Sequence, residues 1–360
     1  APAAPPPAPA PASTPAAAAS GAKKPSAATA TSPKVGGGRA KRAAMLRTRQ
    51  AARSYSQATA TAFAALAQLS NCYNLPGIYG ALGTTCSSPM FGSESVCAAA
   101  GFYAVPGSLW VQSQKGWGLQ SVKLAPVSST SSFQAGIALI FHADEPSFAE
   151  LVDLPGCQGC LVDFEYLRMA DAAIEAARWA LPDCATAMMA DNAAAAAQMI
   201  KELCTVYVTG HGGGAGLAQV VAYKLKSMPY RIETSYLFNA PKVGDEVFAA
   251  AMADALSGAP QAGPVINIVT GRGSEWPTYP TYKPYKAWAY EAYYPSNSSS
   301  SMTAFCAAGD ATCGSSQAGA SGGEKPNSCS HALAPGGDLC GFSAQQCYLG
   351  WPAAAAGNSA

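Results

Sequence analysis

The alternation of apolar and polar positions begins late in the chain. Residues 1–45 are Ala, Pro, Ser and Gly with scattered Lys and Arg, a composition with too little apolar surface to offset the entropy of ordering. They read as a disordered tail. From Arg47 to Leu69 the spacing turns helical, with Phe63, Leu66 and Leu69 three apart, so a globular domain is expected over residues 46–352, with a flexible tail at 353–360. Two β-rich runs, from Phe102 to Gln112 and from Leu119 to Val127, flank Lys115-Gly-Trp-Gly118 and predict a hairpin.

Further on, Gly136 to Phe141 is a continuous apolar run of strand length, and helical spacing returns from Phe164 to Ala180 and from Ala187 to Leu203. The strand-like Thr205-Val-Tyr-Val208 opens a regular series: helix from Gly214 to Lys226, strand from Thr234 to Phe238, helix from Asp245 to Leu256, strand from Val265 to Thr270. Alternation of this kind implies a mainly parallel sheet covered by helices on both faces. The segment 297–350 is rich in Ser, Gly and Ala and contains Cys306, Cys313 and Cys329. A cross-linked loop is expected there.

Composition narrows the function classes. A formal net charge of +1 offers no field for nucleic acid, which needs clustered cations to neutralise phosphates. No run of strongly apolar residues is long enough for a transmembrane helix, so the chain reads as soluble. Twelve cysteines point to an oxidising compartment or secretion, with pairing left open. Residue 1 is Ala rather than Met, as in a fragment or a chain that has lost a leader. Cys157-Gln-Gly-Cys160 is a C-x-x-C that could be redox-active or half of a metal site. With no second C-x-x-C, only three histidines and no clear following helix, a structural role is the stronger reading, and no metal or cofactor is expected.

Between the strand at Thr205 and the helix that follows lies Thr209-Gly210-His211-Gly212-Gly213-Gly214-Ala215. A strand–turn–helix with glycines on both sides is the setting of a nucleophile elbow, whose strained turn excludes flanking side chains. The segment resembles the elbow T-G-H-S-L-G-G-A of the class 3, fungal-type lipases. Leu237-Phe-Asn-Ala-Pro-Lys-Val-Gly-Asp-Glu-Val-Phe248 is similar to that family's F-x-x-P-R-V-G-N-x-x-F. Ile137 to Asp144 resembles its F-R-G-T/S strand, Gly159 to Asp163 its V-H-x-G-F entry, and the stretches from Thr270 to Pro277 and Tyr285 to Pro295 its aspartate turn and E-V-W-Y strand. The resemblance implies an α/β-hydrolase fold, a lipid or acyl ligand, and hydrolysis of carboxylic esters such as triacylglycerols.

The chemistry departs from the family at each position. Acyl transfer needs an activated hydroxyl, an imidazole, an orienting carboxylate and oxyanion donors. The nucleophile position is Gly212, which has no side chain. The carboxylate position falls at Gly273 or Ser274, with Glu275 one step away, and Gln345 stands where the family's final histidine should be. At the oxyanion positions Asp144 replaces a hydroxyl residue and Gly213 a leucine, and the Asp144 charge opposes a developing oxyanion. His331 is the only late histidine and reads as off-site. His211 reads as structural, and His142 takes the place of the F-R-G arginine.

These losses favour a non-catalytic lipase homologue that keeps a ligand-binding or interaction role. The alternatives are an active lipase or esterase with a displaced nucleophile, such as Ser274 or Ser330, and a dinucleotide site at Gly210 to Ala215, which matches G-x-G-x-x-A. The latter lacks an acidic residue at the end of the next strand. Gly319-Ala-Ser-Gly-Gly323 matches G-x-S-x-G but has no strand before it, and His211-Gly-Gly-Gly214 matches an H-G-G-G oxyanion motif without a serine elbow downstream. The aromatic residues Trp276, Tyr279, Tyr282, Tyr285, Trp288, Tyr290, Tyr293 and Tyr294 could line a ligand surface or pack the core.

Overall fold

The computed structural model describes residues 48–49, 51–70, 82, 86, 95–144, 150–184, 192–256, 263–270, 285–286, 290–294, 304–307, 332–333 and 337–338. The chain divides at residues 41 and 42 into two units, and every described residue lies in the second. The expected disordered tail therefore falls outside the described residues.

A mixed sheet organises the fold. In chain order its strands are β1 (Phe102–Ala104), β2 (Trp110–Gln114), β3 (Trp117–Pro126), β4 (Gly136–Ala143), β7 (Thr205–His211), β8 (Arg231–Ile232), β9 (Ser235–Phe238), β10 (Val265–Thr270), β11 (Tyr290–Tyr294) and β12 (Ala304–Ala307). A separate antiparallel pair is formed by β5 (Leu151–Asp153) and β6 (Leu161–Asp163). The main order is β1-β3-β4-β7-β9-β10-β11-β12, with β2 beside β3 and β8 beside β7. Strands β4, β7, β9, β10 and β11 run parallel, and the flanking pairs are antiparallel.

The helices are α1 (Gln57–Leu69), α2 (Val96–Ala99), α3 (Phe164–Ala177), α4 (Ala193–Leu203), α5 (Gly213–Lys226) and α6 (Glu246–Ala255). Several begin where a short polar side chain satisfies a free N–H. Ser56 accepts from Thr59, Asp163 from Glu165 and Tyr166, Asn192 from Ala195, and Asp245 from Phe248. The side-chain period of two divides β4 and β7 between two cores. Leu139, Phe141, Val206 and Val208 face α3, α5 and α6. Ala138, Ile140 and Tyr207 face α1, where Phe133 stacks on Phe102 and Tyr207 at ring separations of 4.3 and 5.1 Å. Parallel central strands with helices on both faces constitute the α/β-hydrolase fold anticipated from the sequence.

Several boundaries differ from expectation. The run from Phe102 to Gln112 is two strands, because Pro106 and the left-handed Gly107 (φ 73°) interrupt it. Both halves pair with β3, β1 at Leu124 to Pro126 and β2 at Trp117 to Ser121. The first helix is broken at Tyr55 and Ser56, where Ser56 starts α1. Within the segment expected to be a loop, Ala304–Ala307 extends the sheet as β12. There the edge strand β11 offers a row of backbone groups that pattern reading does not anticipate.

Candidate functional site

Strand β7 ends at His211, and Gly212 turns the chain into α5 with φ 52° and ψ −121°. An L-residue holds this conformation only under strain, of the kind an elbow imposes on its nucleophile. The turn is pinned on both sides: the Gly212 N–H donates to Phe238 O at 3.0 Å, and the Gly216 N–H donates to Gly212 O at 3.0 Å. A Cβ on Gly210 would lie 2.6 Å from the carbonyl carbon of Gly214. One on Gly214 would strike Phe141 O at the end of β4. The two flanking glycines thus let β7, α5 and β4 meet backbone to backbone.

The same closeness extends to Gly213, where a Cβ would lie 2.6 Å from Ala143 O and 3.1 Å from Asp144 O. Carbonyl oxygens at the end of β4 and just past it therefore lie against the start of α5, at the position that the sequence resemblance aligns with the leucine of the class 3 elbow. Carbonyl oxygens accept hydrogen bonds and carry partial negative charge, the opposite of what stabilises an oxyanion. They also crowd the helix start at which a dinucleotide phosphate would have to approach.

Asp144 extends beyond this junction, its side chain 73% exposed, with Oδ1 3.6 Å from His142 Nε2. Burial pushes the His142 imidazole below its ordinary value, opposed in part by the Asp144 charge and hydrogen bond. The register of β4 and β7 runs to Phe141 opposite Gly210, while His142 lies opposite Gly118 of β3 and His211 opposite Phe238 of β9. Both histidines belong to the α1-facing set of positions, whereas Gly212 leads into the helix on the other face.

The structure thus brings together Asp144, Gly210, His211, Gly212, Gly213 and Gly214. Gly273 and Gln345 lie outside the described residues, as do Ser274, Glu275, His331 and, from the aromatic cluster, Trp276, Tyr279, Tyr282 and Trp288. Of that cluster, Tyr285, Tyr290 and Tyr293 are buried. The Tyr285 hydroxyl donates to Asp163 Oδ2 at 2.9 Å, and the Asp163 carboxyl is pushed above its ordinary value chiefly by burial.

Some neighbours of the elbow carry no sequence signal. Asn239 follows β9 with φ 50° and donates its N–H to Ile268 O at 2.8 Å. Tyr166 packs its ring against Gly216, so closely that a Cβ there would lie 2.5 Å from the phenol. These pairings depend on strand order and helix packing.

Cys157 and Cys160 are bonded to each other, Cα atoms 5.4 Å apart, as are Cys86 with Cys97 and Cys184 with Cys204. Cys306 is also in a disulfide. The C-x-x-C is therefore not a free thiolate pair awaiting a metal. These bonds are compatible with an oxidising compartment. No helix among the described residues is long and apolar enough to cross a membrane.

A parallel-centred sheet and a strand–elbow–helix junction define the α/β-hydrolase class. Residues 153–270, from β5 through β10 and including the elbow, match the family model of the class 3 lipases, Lipase (class 3). The family resemblance read from the sequence thus holds over that segment. No curated protein matches the chain. Among solved structures it is similar to the lipase from Rhizopus microsporus var. chinensis, at 15% identity and TM-score 0.46, covering 73% of this chain and 84% of that one. It is also similar to the Rhizomucor miehei lipase propeptide complex, at 16% identity and TM-score 0.48, covering 72% and 75%. Lipase II from Rhizopus niveus matches at 16% identity and TM-score 0.45, covering 73% and 90%.

Proposed function

We propose that this protein is a non-catalytic lipase homologue that binds a lipid or acyl ligand, or a partner, without cleaving an ester. The reading is carried by Gly212: at the turn where the family places its serine, the backbone has the elbow's strained dihedrals and no side chain. Without a hydroxyl there is nothing for a base to activate and no acyl-enzyme to form. The carbonyl oxygens of Ala143 and Asp144 against Gly213 support the same reading, since they crowd one oxyanion position with acceptors. The match of residues 153–270 to the class 3 lipase model supports a lipid-like ligand. The disulfides accord with a secreted protein.

The test is labelling of the folded protein with a fluorophosphonate, followed by mass mapping. No serine should be modified at stoichiometric level. Modification of a single serine, Ser274 or Ser330 included, would show an activated hydroxyl and refute the non-catalytic reading.

A further inference from the structure

The turn between β5 and β6 holds the Cys157–Cys160 bridge in a setting unlike that of the two other fully described disulfides. In those, all four cysteines are buried, Cys86 and Cys184 included. Here Cys160 is fully buried in the main core, but Cys157 is only half-buried and packs at the edge of that core. Around it Pro155, Gly156, Gln158 and Gly159 are exposed. Gly156 and Gly159 are left-handed, at φ 84° and 73°, and no atom lies within 4 Å of where their Cβ would be. One sulfur is thus seated inside the protein and its bonded partner sits on a bare turn.

We propose that Cys157 is a site of thiol–disulfide exchange with a small external thiol of the glutathione class. Exchange requires a thiolate to approach one sulfur along the S–S axis, from the side away from the sulfur that leaves. Cys157 is the more accessible of the two cysteines and sits on an exposed turn, whereas Cys160 is enclosed by the core, so Cys157 is the sulfur an external thiolate reaches first. The incoming thiolate forms a bond to Cys157 Sγ, the Cys157–Cys160 bond breaks, and its electron pair leaves on Cys160 Sγ, which takes a proton from water. The product is a mixed disulfide on Cys157 and a buried thiol at Cys160. A second thiol attacking the mixed disulfide returns the free Cys157 thiol and releases the symmetrical disulfide of the reagent, which is where the two electrons are accounted for.

The surrounding structure lets this happen without unfolding. The turn is held by bonds that do not involve sulfur: Leu154 N–H to Cys160 O at 2.9 Å and Cys157 N–H to Leu154 O at 3.1 Å. Beyond it β6 is fixed to the core by Asp163 N–H to Val243 O and by Asp245 N–H to Leu161 O. A bridge across so short a loop also removes little entropy from the unfolded chain, so the fold depends on it less than on a bridge with a longer loop. The buried bridges, by contrast, react only when the protein opens locally or globally, which lowers their rate in proportion to the population of open forms.

The test treats the native full chain with graded reduced glutathione, quenches in acid, alkylates free thiols and maps adducts by mass. Glutathione should appear on Cys157, with a free thiol on Cys160, about a hundredfold faster than any opening of Cys86–Cys97 or Cys184–Cys204, as expected when opening is rare. The near-ultraviolet circular dichroism should stay native throughout. Equal rates at the three bridges, an adduct on Cys160 instead of Cys157, loss of native dichroism with adduct formation, or no reaction at Cys157 under native conditions would each overturn the proposal.

Discussion

Gly213→Leu gives the turn the leucine of the class 3 lipase elbow that the sequence resembles, and the packing around Gly213 leaves no room for it. The ideal Cβ lies 2.6 Å from Ala143 O and 3.1 Å from Asp144 O, while non-bonded carbon contacts settle near about 3.5 Å. The start of α5 must therefore withdraw from the end of β4 by up to about 1 Å. Neither side gives readily. The first oxygen belongs to β4, which is laddered to β3 through Ala143 opposite Trp117 and to β7 through Phe141 opposite Gly210. On the other side, α5 is held by the closures at Gly210 and Gly214.

Overpacking costs about 1–3 kcal/mol, and backbone on both sides places this case near the top, at about 3 kcal/mol. For a domain of this size each kcal/mol moves the melting temperature by about 2–4 °C, so a drop of about 6–12 °C is expected in calorimetry. Gly118→Ala serves as the control, because its nearest atoms lie at 3.8 Å and its backbone is not left-handed. It should melt unchanged or slightly higher, by the entropy that glycine loses on folding. A Gly213→Leu protein melting within about 2 °C of the parent would show that β4 and α5 can separate freely and would refute the packing argument.

Gly212→Ser alone should not hydrolyse a short-chain nitrophenyl ester above a Gly212→Ala control, because a serine without an imidazole stays protonated. Activity well above that control would mean that a working base already sits at the turn. Any gain should be confined to Gly212→Ser/Gly273→Asp/Gln345→His, and the Gly212 variants should each lose about 1–3 kcal/mol to the strained dihedrals, measured by urea unfolding. Replacing both Cys184 and Cys204, separated by 20 residues, should cost about 3 kcal/mol, and an unchanged urea midpoint would contradict this. Burial holds His142 below its ordinary value of 6.5, so the native state binds that proton less readily than the unfolded chain. The corresponding stability is present above 6.5 and lost as pH falls through the depressed value. His142→Gln should flatten that acid limb, and an unaltered slope of urea midpoint against pH would show that His142 does not contribute to it.

Local features of the sequence were enough to anticipate the fold class and to motivate the non-catalytic reading proposed above. The apolar runs at Gly136, Thr205, Thr234 and Val265 mark parallel strands because strand period and residue type are local properties. That a glycine stands at the strained turn before α5 is legible directly, and its reading as the place of a missing nucleophile comes from the resemblance to the class 3 lipase elbow. Strand ends were less legible: Phe102 to Gln112 reads as one strand until Pro106 and Gly107 are seen to divide it across two registers of β3. The expected sites at Gly273 and Gln345 rest on the sequence resemblance.

Tertiary structure alone decided what surrounds the elbow and which sulfurs meet. That Ala143 and Asp144 turn carbonyl oxygens on Gly213 and that Tyr166 closes on Gly216 follow from β4 lying next to β7 and α3 next to α5. Cys184 finds Cys204 across the length of α4, while Cys157 and Cys160 close on each other with one sulfur buried and the other near the surface. Apart from the local Cys157–Cys160 bridge, such contacts join residues tens of positions apart. They are fixed by strand order and burial, to which a local pattern of apolar and polar residues is blind.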